Sequence, residues 1–170
     1  MGWTRQYTQF SASEAERITG LDAARQRDFR RHGYLPPLEA GRAKFDAKTL
    51  ARMLALKALA DVGVSPSFGA EVAGSCEALI SARVLADDRA VSDPLDLRMG
   101  EPLIRGAEGL PERHRWLVVR PVSEKYSWAA TPEDLASAVG AASVVVDLFA
   151  LGDLLLERAG VLVTIEREAA

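Results

Sequence analysis

Helix-start and helix-stop signals alternate at short intervals through the first residues of the chain. Ser11-Ala-Ser-Glu14 has the form of a capping box, in which a hydroxyl and a carboxylate satisfy free amides at a helix start, and it predicts a helix over about 12–19. Gly20 follows where a helix end needs positive φ, and Asp22 is placed to cap a second helix over 23–32. Two short helices joined by about three residues around a glycine predict a helix-turn-helix.

The pattern changes after Gly33, which is placed to end the second helix. The segment 35–45 contains Pro36, Pro37 and Gly41, residues that break helices. It therefore predicts two short extended pieces around a turn, which is the form of a wing.

Two longer helices are predicted next. Asp46 caps a helix over about 47–61 that Gly63 stops, and Pro66 suits the first position of another helix that extends to about Ala86. Apolar residues recur at helical spacing in both, which predicts one buried face on each. The expected inward residues are Leu50, Met53, Leu54 and Leu59, then Ala70, Ala73, Leu79, Ile80 and Val84; the expected outward ones are Lys48, Arg52 and Lys57.

The second half of the chain has a mixed pattern. Prolines and glycines over 87–112 indicate a connecting segment, after which 115–122 and 125–129 predict a hairpin. Thr131-Pro-Glu-Asp134 is typical of a helix start. The block after it, which begins with Val144 to Asp147, fits a strand and then a helix, and 161–165 predicts a last strand. The fold class expected is mixed, with an all-α winged helix-turn-helix over 1–86, a connection over 87–112 and a small α+β module over 113–170.

Charge is divided unequally between the two halves. Residues 1–62 hold 11 Lys and Arg against 7 Asp and Glu, a net charge of +4, whereas residues 63–170 hold 10 against 17, a net charge of −7, which gives −3 in all. A basic N-terminal part suits phosphate, and an acidic C-terminal part would be repelled by it. The lone Cys76 favours a small buried residue over a redox sensor. The most apolar stretch is too short to span a bilayer, so we expect a cytoplasmic protein.

The segments up to Gly63 resemble the DNA-binding domain of the MerR family of bacterial regulators, over roughly residues 7–72. The resemblance is carried by their order of helix, turn, helix, wing and helix. The segments are Phe10-Ser-Ala-Ser-Glu-Ala-Glu-Arg-Ile-Thr-Gly-Leu21, Arg25-Gln-Arg-Asp-Phe29, Gly33-Tyr-Leu-Pro36, Gly41-Arg-Ala-Lys-Phe45 and the helix ending at Val62-Gly63.

The resemblance implies roles for particular residues. Arg27 matches the arginine of the family's Leu-Arg-Tyr-Tyr segment on the recognition helix, and Phe29 matches its second aromatic residue; Arg42 matches the wing arginine, and Phe45 the aromatic residue after it. The chain departs from the pattern at three positions. Gln26 replaces a core leucine, Asp28 replaces the first tyrosine, and Arg30 replaces an acid. The chain also lacks the long apolar heptad helix through which typical members dimerise.

The residues of the second helix support the same function independently. Four arginines lie within two turns, at the position from which a helix-turn-helix reads the major groove. Arginine pairs bidentately with guanine, glutamine can pair with adenine, and wing and helix cations suit backbone phosphates. The predicted DNA-binding residues are Arg25, Gln26, Arg27, Arg30, Arg31, Arg42, Lys44 and Lys48.

Other residue types that carry chemistry have simpler explanations. His32 precedes a glycine at a helix end, where a cation suits the helix dipole, and His114 has no Cys or His at ligand spacing. Trp116, Tyr126 and Trp128 fall on predicted strands and indicate a core or a partner surface. No nucleophile motif, phosphate loop or metal cluster is evident, so neither an enzyme nor a cofactor is expected.

Three hypotheses follow for the function. The first is a sequence-specific transcription regulator with double-stranded DNA as its partner, a C-terminal module that forms a homodimer or binds a partner protein or ligand, and contact with the transcription machinery. The second is an architectural DNA-binding protein of the excisionase kind. The third is a protein-interaction adaptor whose helix-turn-helix has lost DNA binding, for which Gln26 and Asp28 are the best support.

Overall fold

A computed structural model describes residues 3–37, 44–85, 87–90 and 114–167. The described elements, in chain order, are strand β1 (Trp3–Tyr7), helices α1 (Ala12–Thr19), α2 (Ala23–Arg31), α3 (Ala47–Asp61) and α4 (Pro66–Leu85), strands β2 (Trp116–Arg120) and β3 (Lys125–Ala129), helix α5 (Pro132–Ala138), strand β4 (Val144–Asp147), helix α6 (Leu148–Ala159) and strand β5 (Val163–Arg167).

The helix starts follow the predicted capping residues. The Ser11 hydroxyl accepts a hydrogen bond from the Glu14 amide, and a Glu14 carboxylate oxygen accepts one from the Ser11 amide at 2.7 Å. The Ser11 hydroxyl also donates a hydrogen bond to the Glu14 carboxylate at 2.7 Å, and this bond, together with the one from the Ser11 amide, lowers the pKa of Glu14. Asp22 and Asp46 each accept a hydrogen bond from the amide three residues later, at 2.8 Å. The capping predictions for α1, α2 and α3 are therefore confirmed.

The helices of the N-terminal part enclose an apolar core. Helices α3 and α4 pack along each other, and α1 packs on α3. Leu50, Met53 and Leu59 are fully or almost fully buried, as predicted. On α4, Ala73, Ile80 and Val84 are buried, whereas Ala70 and Leu79 are only half-buried. Phe68 and Val72, which the predicted face omitted, are buried as well, and so is Cys76.

A three-stranded antiparallel sheet of order β3-β2-β4 forms the C-terminal part. Strands β2 and β3 form the predicted hairpin, in which Leu117 is opposite Trp128 and Val119 is opposite Tyr126. Leu117 and Val119 belong to the main core, while helix α5 packs against β2 and β3. The strand-then-helix interpretation of the block from Val144 to Ala159 is confirmed.

The two ends of the chain meet in a second, two-stranded sheet. Strand β1, which the sequence pattern did not predict, pairs antiparallel with β5, with Tyr7 opposite Val163. Its five residues hold too few apolar positions for a period to be recognised, so the strand is identified only by its partner.

Helix α6 packs against α4, α3 and α1. The Arg158 guanidinium donates a hydrogen bond to the Ile18 carbonyl at 3.0 Å, and the Leu162 amide donates one to the Ala90 carbonyl at 2.7 Å. Buried residues from α1 to β5 thus form one apolar cluster. The expected boundaries at 86 and 113 stay a prediction, with most of the connecting segment, residues 91–113, outside the described part.

Candidate nucleic-acid interface

Helix α2 has one buried face and one exposed basic face. Phe29 and Gln26 face the core, whereas Arg25, Arg27 and Arg31 are exposed. Capping by Asp22 fixes the start of this helix, so the three cations project from a defined backbone. The helix thus presents positive charge on the side away from the core.

The exposed arginines differ in how they are paired. Arg31 forms an ion pair with Asp28 at 3.1 Å, and Arg25 lies 3.9 Å from Asp22. Arg27 forms no ion pair with any residue that the structure describes. Exposed ion pairs of this kind contribute little to stability and exchange readily with other anions. Arg27 is therefore the cation of α2 that is most available to a ligand.

Gln26 is not available to a base. Its side chain is wholly buried, and its Nε2 donates hydrogen bonds to the carbonyls of Ala12 at 3.1 Å and Leu21 at 2.8 Å. The hypothesis that Gln26 reads adenine is therefore corrected: the residue holds α2 against α1, at the position where the resemblance implies a core leucine.

Arg30 is half-buried rather than exposed. Its guanidinium lies 5.5 Å from the centre of the Phe45 ring, a cation–π arrangement, and its Nη1 is buried with no hydrogen-bond partner in the described part of the chain. Burial, together with the charge of Arg27, lowers the pKa of Arg30. An arginine stays protonated even so, because a guanidinium is too weak an acid to lose its proton in a protein. Arg30 therefore adds positive charge close to Arg27.

The wing is described only at its base. The Phe10 amide donates to the Phe45 carbonyl at 2.8 Å, and the Phe45 amide donates to the Phe10 carbonyl at 2.9 Å. This pair of bonds joins the segment before α1 to the segment before α3. Lys44 is exposed beside it. Residues 38–43 lie outside the described residues, and Arg42 lies among them, so the extended pieces of the wing and the role of Arg42 stay predictions.

A basic pocket of about 560 Å³ opens between the end of α2 and the helices α3 and α4. Among the described residues, four cations and one carboxylate contribute charge to its lining. These residues are Arg30, Arg31, Lys48, Arg52 and Glu77. We call this the basic pocket below.

The ion pairs of the basic pocket connect three parts of the chain. Glu77 lies 3.3 Å from the Lys48 ammonium and 3.4 Å from Arg52 Nη1, and Arg52 Nε donates to the Tyr34 carbonyl at 2.8 Å. Arg52 was expected to face outward, but its side chain is only 26% exposed because of these contacts. Sequence reasoning missed Arg52 and Glu77, because they are 25 residues apart and no local pattern relates them.

The remaining candidate residues are involved in packing. His32 stacks on Tyr34, with ring centres 5.7 Å apart, and its Nε2 lies 3.6 Å from Asp28. His114 meets the edge of Trp128, whose ring also contacts Tyr126. Over the described ranges, no group of His, Cys, Asp and Glu is arranged to hold a metal ion, and no helix is long and apolar enough to cross a membrane.

Comparison with known proteins identifies the N-terminal part. Residues 10–67 match the family model described as the MerR HTH family regulatory protein. No curated protein matches the chain. The matched range contains α1, α2, α3 and the base of the wing, and it ends at the first residues of α4. The MerR resemblance is thus confirmed for residues 10–67, and the match supports a DNA-binding transcription regulator in general.

Proposed function

We propose that this chain, whose residues 10–67 match the MerR helix-turn-helix family, is a sequence-specific transcription regulator that inserts α2 into the major groove of DNA. The observation that carries the proposal is the two-sided character of α2. Gln26 and Phe29 anchor one face in the core, and Arg25, Arg27 and Arg31 extend from the other. A recognition helix needs this division, because the scaffold must hold the helix while its side chains reach base edges.

The residues divide into two roles. Arg25 and Arg27, near the start of α2, are proposed to contact base edges, since the N-terminal part of a recognition helix reaches deepest into the groove. Arg30, Arg31 and Lys48 are proposed to hold backbone phosphates, together with Arg42 and Lys44 of the wing. Phosphate contacts position the protein, and base contacts select the sequence.

The test of this function is a binding measurement on duplexes selected by the purified protein from fragmented genomic DNA. We expect Arg27→Ala to weaken binding to the selected duplex by a factor of about 5–150, which corresponds to the roughly 1–3 kcal/mol of one bidentate guanine contact. Lys125→Ala, which removes one exposed positive charge from β3, is the matched control and should bind like the unaltered protein.

Three outcomes separate the hypotheses. Absence of salt-sensitive affinity for any duplex would refute DNA binding and favour the adaptor. Binding without sequence preference, spread evenly over the genome, would favour an architectural protein. Occupancy concentrated at promoters, with altered transcription when the gene is deleted, would support the regulator.

The C-terminal module is proposed to form a homodimer or to bind a partner protein. Strand β4 lies at an edge of the three-stranded sheet, where no described strand pairs with its outer side, and Val145 on this strand is 42% exposed. An edge strand of this kind can pair with a strand of another chain. Sedimentation equilibrium of the purified chain tests this: a dimer that Val145→Lys dissociates supports the proposal, and a monomer at all concentrations refutes the homodimer.

A further inference from the structure

We propose that the basic pocket binds one backbone phosphate of the DNA duplex, and that Glu77 is the internal counter-charge that this phosphate replaces on Lys48. The inference rests on the proposed function and extends it by residues that the sequence did not indicate. The phosphate would arrive beside α2, because Arg30 and Arg31 at the end of that helix line the pocket.

The charge and size of the pocket suit a phosphate. Four cations outnumber one carboxylate among the described residues of its lining, and its volume of about 560 Å³ exceeds what a phosphate group needs. The cations come from two helices: Arg30 and Arg31 from α2, Lys48 and Arg52 from α3. Positive charge from separate elements converges on one cavity, which raises the local potential for anions.

The two cations that contact Glu77 differ in freedom. Arg52 is held at both ends of its guanidinium, by the Tyr34 carbonyl at 2.8 Å and by Glu77 at 3.4 Å. Lys48 is 69% exposed, and among the described residues it forms one ion pair, with Glu77 at 3.3 Å. Lys48 can therefore turn toward an incoming phosphate, while Arg52 keeps Glu77 in place.

Glu77 makes the binding of a phosphate an exchange. Its side chain is only 12% exposed, so the carboxylate stays near the pocket whether or not Lys48 contacts it. When Lys48 moves to a phosphate it leaves this carboxylate, and the net release of counterions is smaller than for a free lysine. Glu77 thus lowers both the affinity for DNA and its dependence on salt.

The experiment measures the affinity of the full chain for the selected duplex between about 50 and 200 mM salt. We expect Glu77→Gln to bind more tightly, on the order of tenfold at the lowest salt, and to steepen the slope of log K against log salt by part of the roughly 0.9 that one phosphate contact contributes. The matched control is Glu71→Gln, which removes an equal charge from an exposed position of α4 and should leave the slope unchanged.

A second variant keeps the test decisive if Glu77→Gln folds poorly by circular dichroism. Lys48→Gln should make the slope shallower than that of the unaltered protein, and in the double variant it should remove the gain from Glu77→Gln. An unchanged slope in both single variants, with Arg27→Ala still defective, would overturn this inference and leave the proposed function standing.

The source of the phosphate is tested separately on the protein without DNA. If no duplex binds, the proposed function fails and so does a DNA phosphate in the pocket. A rise in the unfolding temperature with inorganic phosphate, larger for Glu77→Gln and absent with chloride at equal ionic strength, would then assign the pocket to free phosphate. If no duplex binds and inorganic phosphate does not raise the unfolding temperature either, a phosphate site of either source is refuted.

Discussion

Gln26 joins the first two helices through a single side-chain amide. Its Nε2 donates to the Ala12 carbonyl in α1 and to the Leu21 carbonyl before α2, and Gln26 itself has no exposed surface. Its Oε1 has no hydrogen-bond partner in the part of the chain that the structure describes. This polar residue at a core position therefore leaves its oxygen without a hydrogen bond to the described residues, but its nitrogen makes two hydrogen bonds that hold the turn between α1 and α2.

Replacing Gln26 by alanine tests this role. We expect Gln26→Ala to lower the free energy of unfolding by about 1–3 kcal/mol, because it leaves a cavity and removes the amide that donates to the Ala12 and Leu21 carbonyls. Chemical denaturation measures the loss. The folded fraction of the variant should still select the same DNA sequence, and an altered base preference at constant stability would contradict the structural role.

Cys76 is also defined by burial. Its side chain is 1% exposed, and burial raises the pKa of its thiol to about 12. A thiol is reactive only as the thiolate, so near neutral pH this cysteine behaves as a small apolar residue of α4. The prediction of a buried Cys76 is confirmed.

At the scale of elements, α2 depends on its first residue. The helix has nine residues, most of them charged, and only Gln26 and Phe29 are buried, so packing contributes less to it than to the longer helices. The Asp22 carboxylate accepts a hydrogen bond from the Arg25 amide and satisfies one of the free donors at the helix start. The cap therefore orders the first turn of α2, which contains Arg25 and lies just before Arg27.

We expect Asp22→Ala to lower the free energy of unfolding by about 1 kcal/mol and to weaken DNA binding by fraying this turn. Asp22→Asn is the matched control, because asparagine caps a helix about as well without the charge. Thermal unfolding and duplex affinity should both separate the two variants. If Asp22→Ala and Asp22→Asn lost stability and DNA affinity equally, the charge of Asp22 rather than its capping hydrogen bond would be responsible.

At the scale of the whole molecule, α6 connects the C-terminal sheet to the N-terminal helices. Gly152 lies buried in α6 at its contact with α4, where an added Cβ would be 2.9 Å from Arg83 Cγ and 3.3 Å from Arg83 Cβ. The stem of Arg83 cannot move aside easily, since its guanidinium is bonded to Asp153 at 2.9 Å and lies over the Phe149 ring. Glycine permits this close approach of the two helices.

We expect Gly152→Val to destabilise the chain by about 1–3 kcal/mol through overpacking. Ala150→Val, at an exposed position of the same helix, is the control. Far-UV circular dichroism and tryptophan fluorescence should shift to the same lower unfolding temperature, because the described parts share one core. If the unfolding temperature fell when followed by fluorescence but stayed unchanged when followed by circular dichroism, the chain would consist of two independent domains instead.

The sequence by itself determined the starts and ends of most helices, and it indicated the helix-turn-helix. Ser11 with Glu14, Asp22, Asp46 and Thr131 were recognisable because a cap involves residues about three positions apart. The family pattern that contains them is local for the same reason. Arginines on α2 could be placed near DNA from this information alone.

Only the tertiary structure decided which of these residues are accessible and which distant ones join them. It buried Gln26, paired Arg52 with Glu77, matched β1 with β5, and brought Arg158 to Ile18, which is 140 residues away in the chain. Such contacts depend on how helices pack around a shared core, and no periodicity along one segment records the partner of a residue in another. The pocket beside α2 is therefore a property of the fold, although every cation in it is plain in the sequence.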